Sequence, residues 1–186
     1  MKIKEAVKQF RYLFIELKRM NNIHWWRWFS CWFSEVFIVI ASYRIERALY
    51  LIFGKFYSGI RIVLSPVSLL LRPWLGKCEI HYRADIGPGF IIYHPSLGVV
   101  INGSSIIGKY FTLSGGNCIG ARRTLETGEI LIGDNVTLGI NAVVLGPIKI
   151  GDNVQISPCA IASNDIPDNH LLIAIPPRAI HSKPKE

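Results

Sequence analysis

Aliphatic residues recur at every sixth position through the second half of the chain. Ile132, Leu138, Val144, Ile150 and Ile156 keep this spacing, and Ala162 ends it. The same spacing holds at Ile80, Ile86 and Ile92, and again at Ile101, Ile107, Leu113 and Ile119. The stretch Ile132-Gly-Asp-Asn-Val-Thr returns 18 positions later as Ile150-Gly-Asp-Asn-Val-Gln. A period of six fits neither the 3.6 of a helix nor the 2.0 of an ordinary strand. It predicts a parallel β-helix built from hexapeptides. Each hexapeptide supplies a short extended segment with its aliphatic residue turned inward. A Gly or an Asp-Asn pair then forms the corner, where φ > 0 is often required. Three segments close one coil, and coils stack at the strand spacing of roughly 4.8 Å. Residues 80–165 give about four to five coils, which must stack to bury the aliphatic rows.

The spacing slips twice. Ile92 to Ile101 is nine residues, so three extra residues sit around His94-Pro-Ser-Leu-Gly98. Ile119 to Ile132 is thirteen, so seven extra sit within Ala121-Arg-Arg-Thr-Leu-Glu-Thr-Gly-Glu129. The repeat is occupied with packing, so function is expected in these interruptions.

Charge divides the chain into unlike parts. Residues 1–78 carry a net charge of +9 and 16 of the 21 aromatic residues, whereas residues 79–186 carry −1. The expected organisation is a helical N-terminal region over 1–78, the β-helix over 79–167, and a closing turn and tail over 168–186. The N-terminal aromatics sit in apolar sequence, as in Trp25-Trp-Arg-Trp-Phe-Ser-Cys-Trp-Phe33, rather than in the polar framework of a nucleic-acid module. Trp and Tyr favour the membrane–water interface, and Lys and Arg favour anionic headgroups. Glu35, Arg44, Arg47, Lys55, Arg61 and Arg72 interrupt the apolar runs before any is long enough to span a bilayer, which argues against a membrane span. Two readings stay open: helices lying in the membrane interface, or a soluble helical cap packed on the β-helix. Charges continue through residues 16–19 with no small-residue cleavage site after an early apolar core, which disfavours a signal peptide.

Cys31, Cys78, Cys118 and Cys159 show no metal-ligand spacing and read as reduced thiols of a cytosolic protein. No metal site is expected: a three-histidine zinc centre of the carbonic anhydrase type needs an H-x4-H spacing that none of the five histidines has. Among these, His94 falls at the first interruption, and a neutral imidazole is the usual general base near pH 7. Glu79 precedes it by slightly less than one coil. The return of the coil brings His94 back to the corner from which Glu79 started, one layer up. A carboxylate there would fix the tautomer of the imidazole.

The segment Glu79-Ile-His81, continued by Ile86-Gly-Pro-Gly-Phe-Ile-Ile-Tyr-His94-Pro-Ser-Leu-Gly-Val-Val-Ile101, resembles the start of the serine acetyltransferase β-helix. The likeness runs through the Gly-Asp-Asn-Val coils to Ala174-Ile-Pro-Pro-Arg178, over roughly residues 79–180. The resemblance implies a left-handed β-helix, a homotrimer, and acetyl-CoA held between neighbouring subunits. It also implies an Asp–His pair that deprotonates the acceptor hydroxyl, with His94 in the His position and Glu79 in the Asp position. Gly120, Asn141, Pro176 and Arg178 fall where CoA would be held. Tyr93, His81, Arg122 and Arg123 fall where the acceptor would be read, and backbone N–H groups near Gly115, Gly116 or Gly120 are candidates for an oxyanion site.

Two departures matter. Tyr93 stands where the serine enzymes carry an Asp, and Arg122-Arg123 stands where they carry Arg-His. The contacts for an amino acid are thus partly missing. Ser42-Tyr-Arg-Ile-Glu-Arg-Ala-Leu-Tyr50 is similar to the short N-terminal region of exopolysaccharide O-acetyltransferases. The expectation is an acetyl-CoA-dependent O-acetyltransferase acting on a sugar hydroxyl, free or lipid-linked, at the inner face of the cytoplasmic membrane. The alternatives are serine O-acetylation and a non-enzymatic scaffold. Nucleic acid is not expected as a partner.

Overall fold

The computed structural model describes residues 2–20, 31–75, 77–121 and 123–175. Among the described residues, three α-helices precede a three-sided solenoid: α1 (Lys2–Met20), α2 (Glu35–Phe53) and α3 (Tyr57–Leu75). Helix α2 begins at Ser34, whose hydroxyl accepts from the Phe37 N–H at 3.2 Å. It ends at Gly54, in a left-handed conformation with φ +59 that lets its N–H reach the Tyr50 carbonyl.

Fourteen short strands of the described residues, numbered in chain order, form three parallel sheets. The first sheet stacks β1 (Cys78–Ile80), β4 (Val99–Ile101), β7 (Asn117–Ala121), β10 (Val143–Gly146) and β13 (Ile161–Ala162). The second stacks β2 (Asp85–Ile86), β5 (Ser105–Ile107), β8 (Ile130–Ile132) and β11 (Ile148–Ile150). The third stacks β3 (Ile91–Ile92), β6 (Thr112–Leu113), β9 (Thr137–Leu138), β12 (Gln155–Ile156) and β14 (Leu171–Leu172). Strands with few residues per side, followed by a turn, are what a six-residue period dictates.

The register reproduces the sequence spacing coil by coil. Ile101 pairs with Ile119 and Ile132 with Ile150, each one regular coil on. Ile80 pairs with Ile101, so the first coil is lengthened by the whole of the first interruption. Ile119 pairs with Val144, and that coil is lengthened by the whole of the second. The last coil is shorter than the repeat, with Ile156 paired to Leu172. The inward rows of Ile86, Ile107, Ile132 and Ile150, and their counterparts on the other two sheets, are buried and form one core. Corners are turned by left-handed residues, among them Asn135, Asn141, Asn153 and Asn169. The Asn135 and Asn153 side-chain amides each donate to the Asn one coil further on, at 3.1 and 3.0 Å.

The helices cover the first coil, whose backbone groups have no preceding coil to pair with. Arg44 reaches the Ile86 and Gly87 carbonyls at 2.7 Å each, and Arg47 reaches Arg83 O at 2.9 Å. Tyr43 donates its hydroxyl to Ala84 O at 2.9 Å, and Arg19 bonds Gly89 O and Thr112 Oγ1. Arg44 is buried and ion-paired with Glu16, which is equally buried. Burial holds the Glu16 carboxyl above its usual range, against the pull of Arg44 and of the Phe90 N–H. Helices α1 and α2 thus pack on the first coil through these contacts. Among the described residues no helix is long and apolar enough to cross a membrane.

Candidate active site

The three-residue interruption is absorbed at the corner between the third and first sheets. Tyr93 and His94 continue the ladder through their N–H groups, to Leu113 O at 2.9 Å and Ser114 O at 3.1 Å. The chain then makes one 3-10 turn, Pro95–Leu97, closed by Leu97 N–H on His94 O and by Gly98 at φ +81. This turn leaves the Tyr93 and His94 side chains exposed. Strand β1 is tied to the same turn, because the Cys78 thiol donates to Pro95 O at 3.3 Å. Burial pushes that thiol up to about 11, so it remains protonated near neutrality.

Gly115 packs on His94 from the next coil, where only a residue without a side chain fits. A Cβ on it would stand 2.5 Å from the His94 carbonyl oxygen, and its φ is +129. Asn141 occupies the following layer of the same corner, exposed and left-handed, with its N–H on Gly115 O at 2.9 Å. Of the three backbone positions considered for an oxyanion, Gly120 stands inside the β7–β10 ladder, opposite Leu145. Gly115 N–H donates to Asn117 Oδ1 and Gly116 N–H to Gly98 O. Asn117, which the repeat did not single out, is buried and also donates to Gly139 O at 2.7 Å. Its only sequence signal is a polar residue directly after a Gly-Gly pair, within an otherwise apolar strand.

The seven-residue interruption lies at the corner between the first and second sheets. Here a cavity of about 700 Å³ is lined by His81, Arg83, Asn102, Arg123, Leu125 and Glu126, among others. His81 stacks on Tyr82 with ring centroids 4.4 Å apart, and its Nδ1 accepts from the Arg83 N–H at 3.2 Å. Burial first, then the charges of Arg61 and Arg83, lower its pKa below the ordinary value, while Glu79 acts in the opposite sense. Arg123 is engaged by Glu129 at 2.5 and 3.2 Å, and Glu129 also accepts from the Glu126 N–H at 2.7 Å.

The residues singled out in the sequence thus fall on two edges of one sheet. His94, Tyr93 and Asn141 mark one edge, and His81 and Arg123 mark the other. Glu79 lies between, exposed on the outer face of β1 and paired in register with Val100. Among the described residues no hydrogen bond joins Glu79 to His94. Gly120 also faces outward on this sheet, and a Cβ there would meet only Cys118 Sγ, at 3.5 Å. Arg122, Pro176 and Arg178 lie outside the described residues. Among the described residues no cluster of His, Cys, Asp and Glu could hold a metal ion.

The family model for the bacterial transferase hexapeptide (six repeats) matches residues 129–162. A serine acetyltransferase of Synechococcus elongatus is 35% identical over 121 residues, covering 64% of this chain and 47% of that protein. A serine acetyltransferase of Staphylococcus xylosus is 33% identical over 142 residues, covering 74% and 65%. The chain is a hexapeptide-repeat protein of the serine acetyltransferase-like kind. An Escherichia coli protein named "Putative colanic acid biosynthesis acetyltransferase WcaB" is 37% identical over 95 residues, covering 51% and 58%. Among solved structures, Neisseria gonorrhoeae serine acetyltransferase in complex with serine shares the fold, with a TM-score of 0.75 at 21% identity over 96% of this chain and 71% of that one. This serine acetyltransferase-like chain spans about half the length of the first curated relatives it matches.

Proposed function

We propose that the protein is an acetyl-CoA-dependent O-acetyltransferase acting on a sugar hydroxyl in capsular or exopolysaccharide assembly. His94 serves as general base. Its exposed ring sits on a turn that the Gly115 and Cys78 contacts hold in place, which suits a group that must meet an acceptor without moving. His94 takes the proton of the acceptor hydroxyl, and the freed oxygen attacks a thioester carbonyl. It then returns the proton to the departing sulfur, so no covalent enzyme intermediate is needed. Acetyl-CoA supplies that thioester when bound. The bare outward position at Gly120 and the exposed Asn141 suit an elongated ligand held largely through backbone, with Pro176 and Arg178 assigned to the same role.

Glu79 is assigned the task of orienting the His94 ring once the acceptor is bound. A homotrimer supports this assembly, because a neighbouring protomer can bring one edge of its first sheet against the other edge of this one. The acceptor would then lie between Tyr93 and His94 on one side and His81, Arg122 and Arg123 on the other. The basic, aromatic N-terminal region would hold the enzyme peripherally at the inner face of the cytoplasmic membrane, within reach of lipid-linked precursors.

One observation favours a sugar over an amino acid: Arg123 is already neutralised by Glu129. A free carboxylate would have to displace that partner. Serine O-acetylation is the second reading, favoured by the names of the relatives quoted above. Release of CoA thiol, measured with serine and with nucleotide- or lipid-linked sugars, separates the two. Rapid turnover of free serine with none on sugars would overturn the sugar assignment.

A further inference from the structure

Helix α1 is built inside out. The face it turns toward the rest of the chain holds Ala6, Gln9, Glu16 and Leu17, all buried, and both Gln9 and Glu16 are bound by Arg44. An adjoining face, roughly a quarter-turn round the helix, carries Ile3, Val7, Phe10 and Phe14, which are 70%, 54%, 56% and 60% exposed. Their spacing of four, three and four residues aligns them in one stripe. Lys4, Lys8, Arg11 and Lys18 stand exposed along one border of it, on the side turned away from the rest of the chain, against one exposed acid on this helix, Glu5, which is ion-paired with Lys8. A surface helix ordinarily buries its apolar stripe and exposes its polar one.

Two occupants could cover the stripe, a second copy of the same face or a lipid surface, and charge decides between them. Residues 1–78 carry a net charge of +9, so pairing two such regions sets like charges against each other. Anionic headgroups would neutralise the same lysines and arginines. We propose that α1 lies on an anionic bilayer. Ile3, Val7, Phe10 and Phe14 enter the acyl boundary, and Lys4, Lys8, Arg11 and Lys18 lie among the headgroups. This inference rests on the membrane-contact part of the proposed function and not on the chemistry of His94. Helix α3, with exposed Ile62, Val63, Leu69 and Leu70, is the competing element in the same chain.

The test is co-sedimentation of the full chain with vesicles of equal parts phosphatidylglycerol and phosphatidylcholine, and with vesicles of phosphatidylcholine alone. The wild-type chain is expected to bind only the anionic vesicles, and less at high salt. The Phe10→Ser/Phe14→Ser variant should lose about tenfold of that binding, and Lys4→Gln/Arg11→Gln should weaken it and flatten its salt dependence. Both variants should keep wild-type helicity and wild-type transfer to a soluble acceptor. If the wild type ignores anionic vesicles, the membrane-contact reading falls together with this inference. If Phe10→Ser/Phe14→Ser binds like the wild type, or only Ile62→Ser/Leu70→Ser loses binding, the assignment to α1 alone falls. If Phe10→Ser/Phe14→Ser lowers the assembly size in gel filtration, the stripe belongs to a second copy and the inference is overturned.

Discussion

Gly115 and His94 are in backbone contact across successive coils: a Cβ on Gly115 would stand 2.5 Å from the His94 carbonyl oxygen and 3.1 Å from its Cβ. With φ at +129, Gly115 also occupies a conformation that side-chain-bearing residues rarely adopt. Gly115→Ala should therefore cost about 1–3 kcal/mol in stability and displace the His94 turn. Urea unfolding and CoA-release assays check both parts. Gly120→Ala is the contrast, expected to leave the unfolding midpoint unchanged while raising KM for acetyl-CoA.

His94→Ala removes an exposed ring and no packing, so its Tm should equal that of the wild type. Acetyl transfer should fall by roughly 10²- to 10⁴-fold, the usual worth of a general base. Undiminished turnover would remove His94 from the mechanism.

Arg44→Met leaves Glu16 buried without its ion partner and two first-coil carbonyls without a donor. A loss of about 3–5 kcal/mol is expected in chemical denaturation. Adding Glu16→Met should recover only part of it, because the Ile86 and Gly87 carbonyls remain unsatisfied.

His81 is expected to make stability depend on pH, in one direction. Its pKa in the folded chain is lowered, with burial the largest cause, so folding favours the neutral ring. The stabilisation is present above the ordinary histidine value and is lost as pH falls through the folded one. Tm should thus drop as pH is lowered below about 6.5, and less so in His81→Gln. An NMR titration in which the His81 ring titrates above the ordinary value would contradict this.

Glu129→Gln releases Arg123 without disturbing the core, since both side chains sit in the surface loop. The unfolding midpoint should be unchanged. Activity with free serine should rise relative to activity with sugar acceptors, read as the ratio of the two kcat/KM values. No change in that ratio would detach Arg123 from acceptor choice.

The solenoid was legible because its period is set locally. The slips at His94-Pro-Ser-Leu-Gly98 and within 121–129 predict two overlong coils, and the strand register has both. The short coil that ends at Leu172 was not legible, because the spacing runs out at Ala162. The role of Arg44 was also hidden. A charge breaking an apolar helical run argues against a membrane span, but its acceptors, the Ile86 and Gly87 carbonyls, lie 42 and 43 residues away. Likewise, an amphipathic pattern shows that α1 has two faces and not which one is inward. That depends on Gln9 and Glu16 meeting Arg44.

The capped first coil has a further consequence. An open strand edge is a template on which another chain can add hydrogen bonds. Here five acceptors on its second side are already taken: Arg19 holds Gly89 O, Tyr43 holds Ala84 O, Arg44 holds Ile86 O and Gly87 O, and Arg47 holds Arg83 O. A stack of parallel coils is a short piece of fibre in all but length. Three arginines and one tyrosine close the side around β2 to that kind of growth.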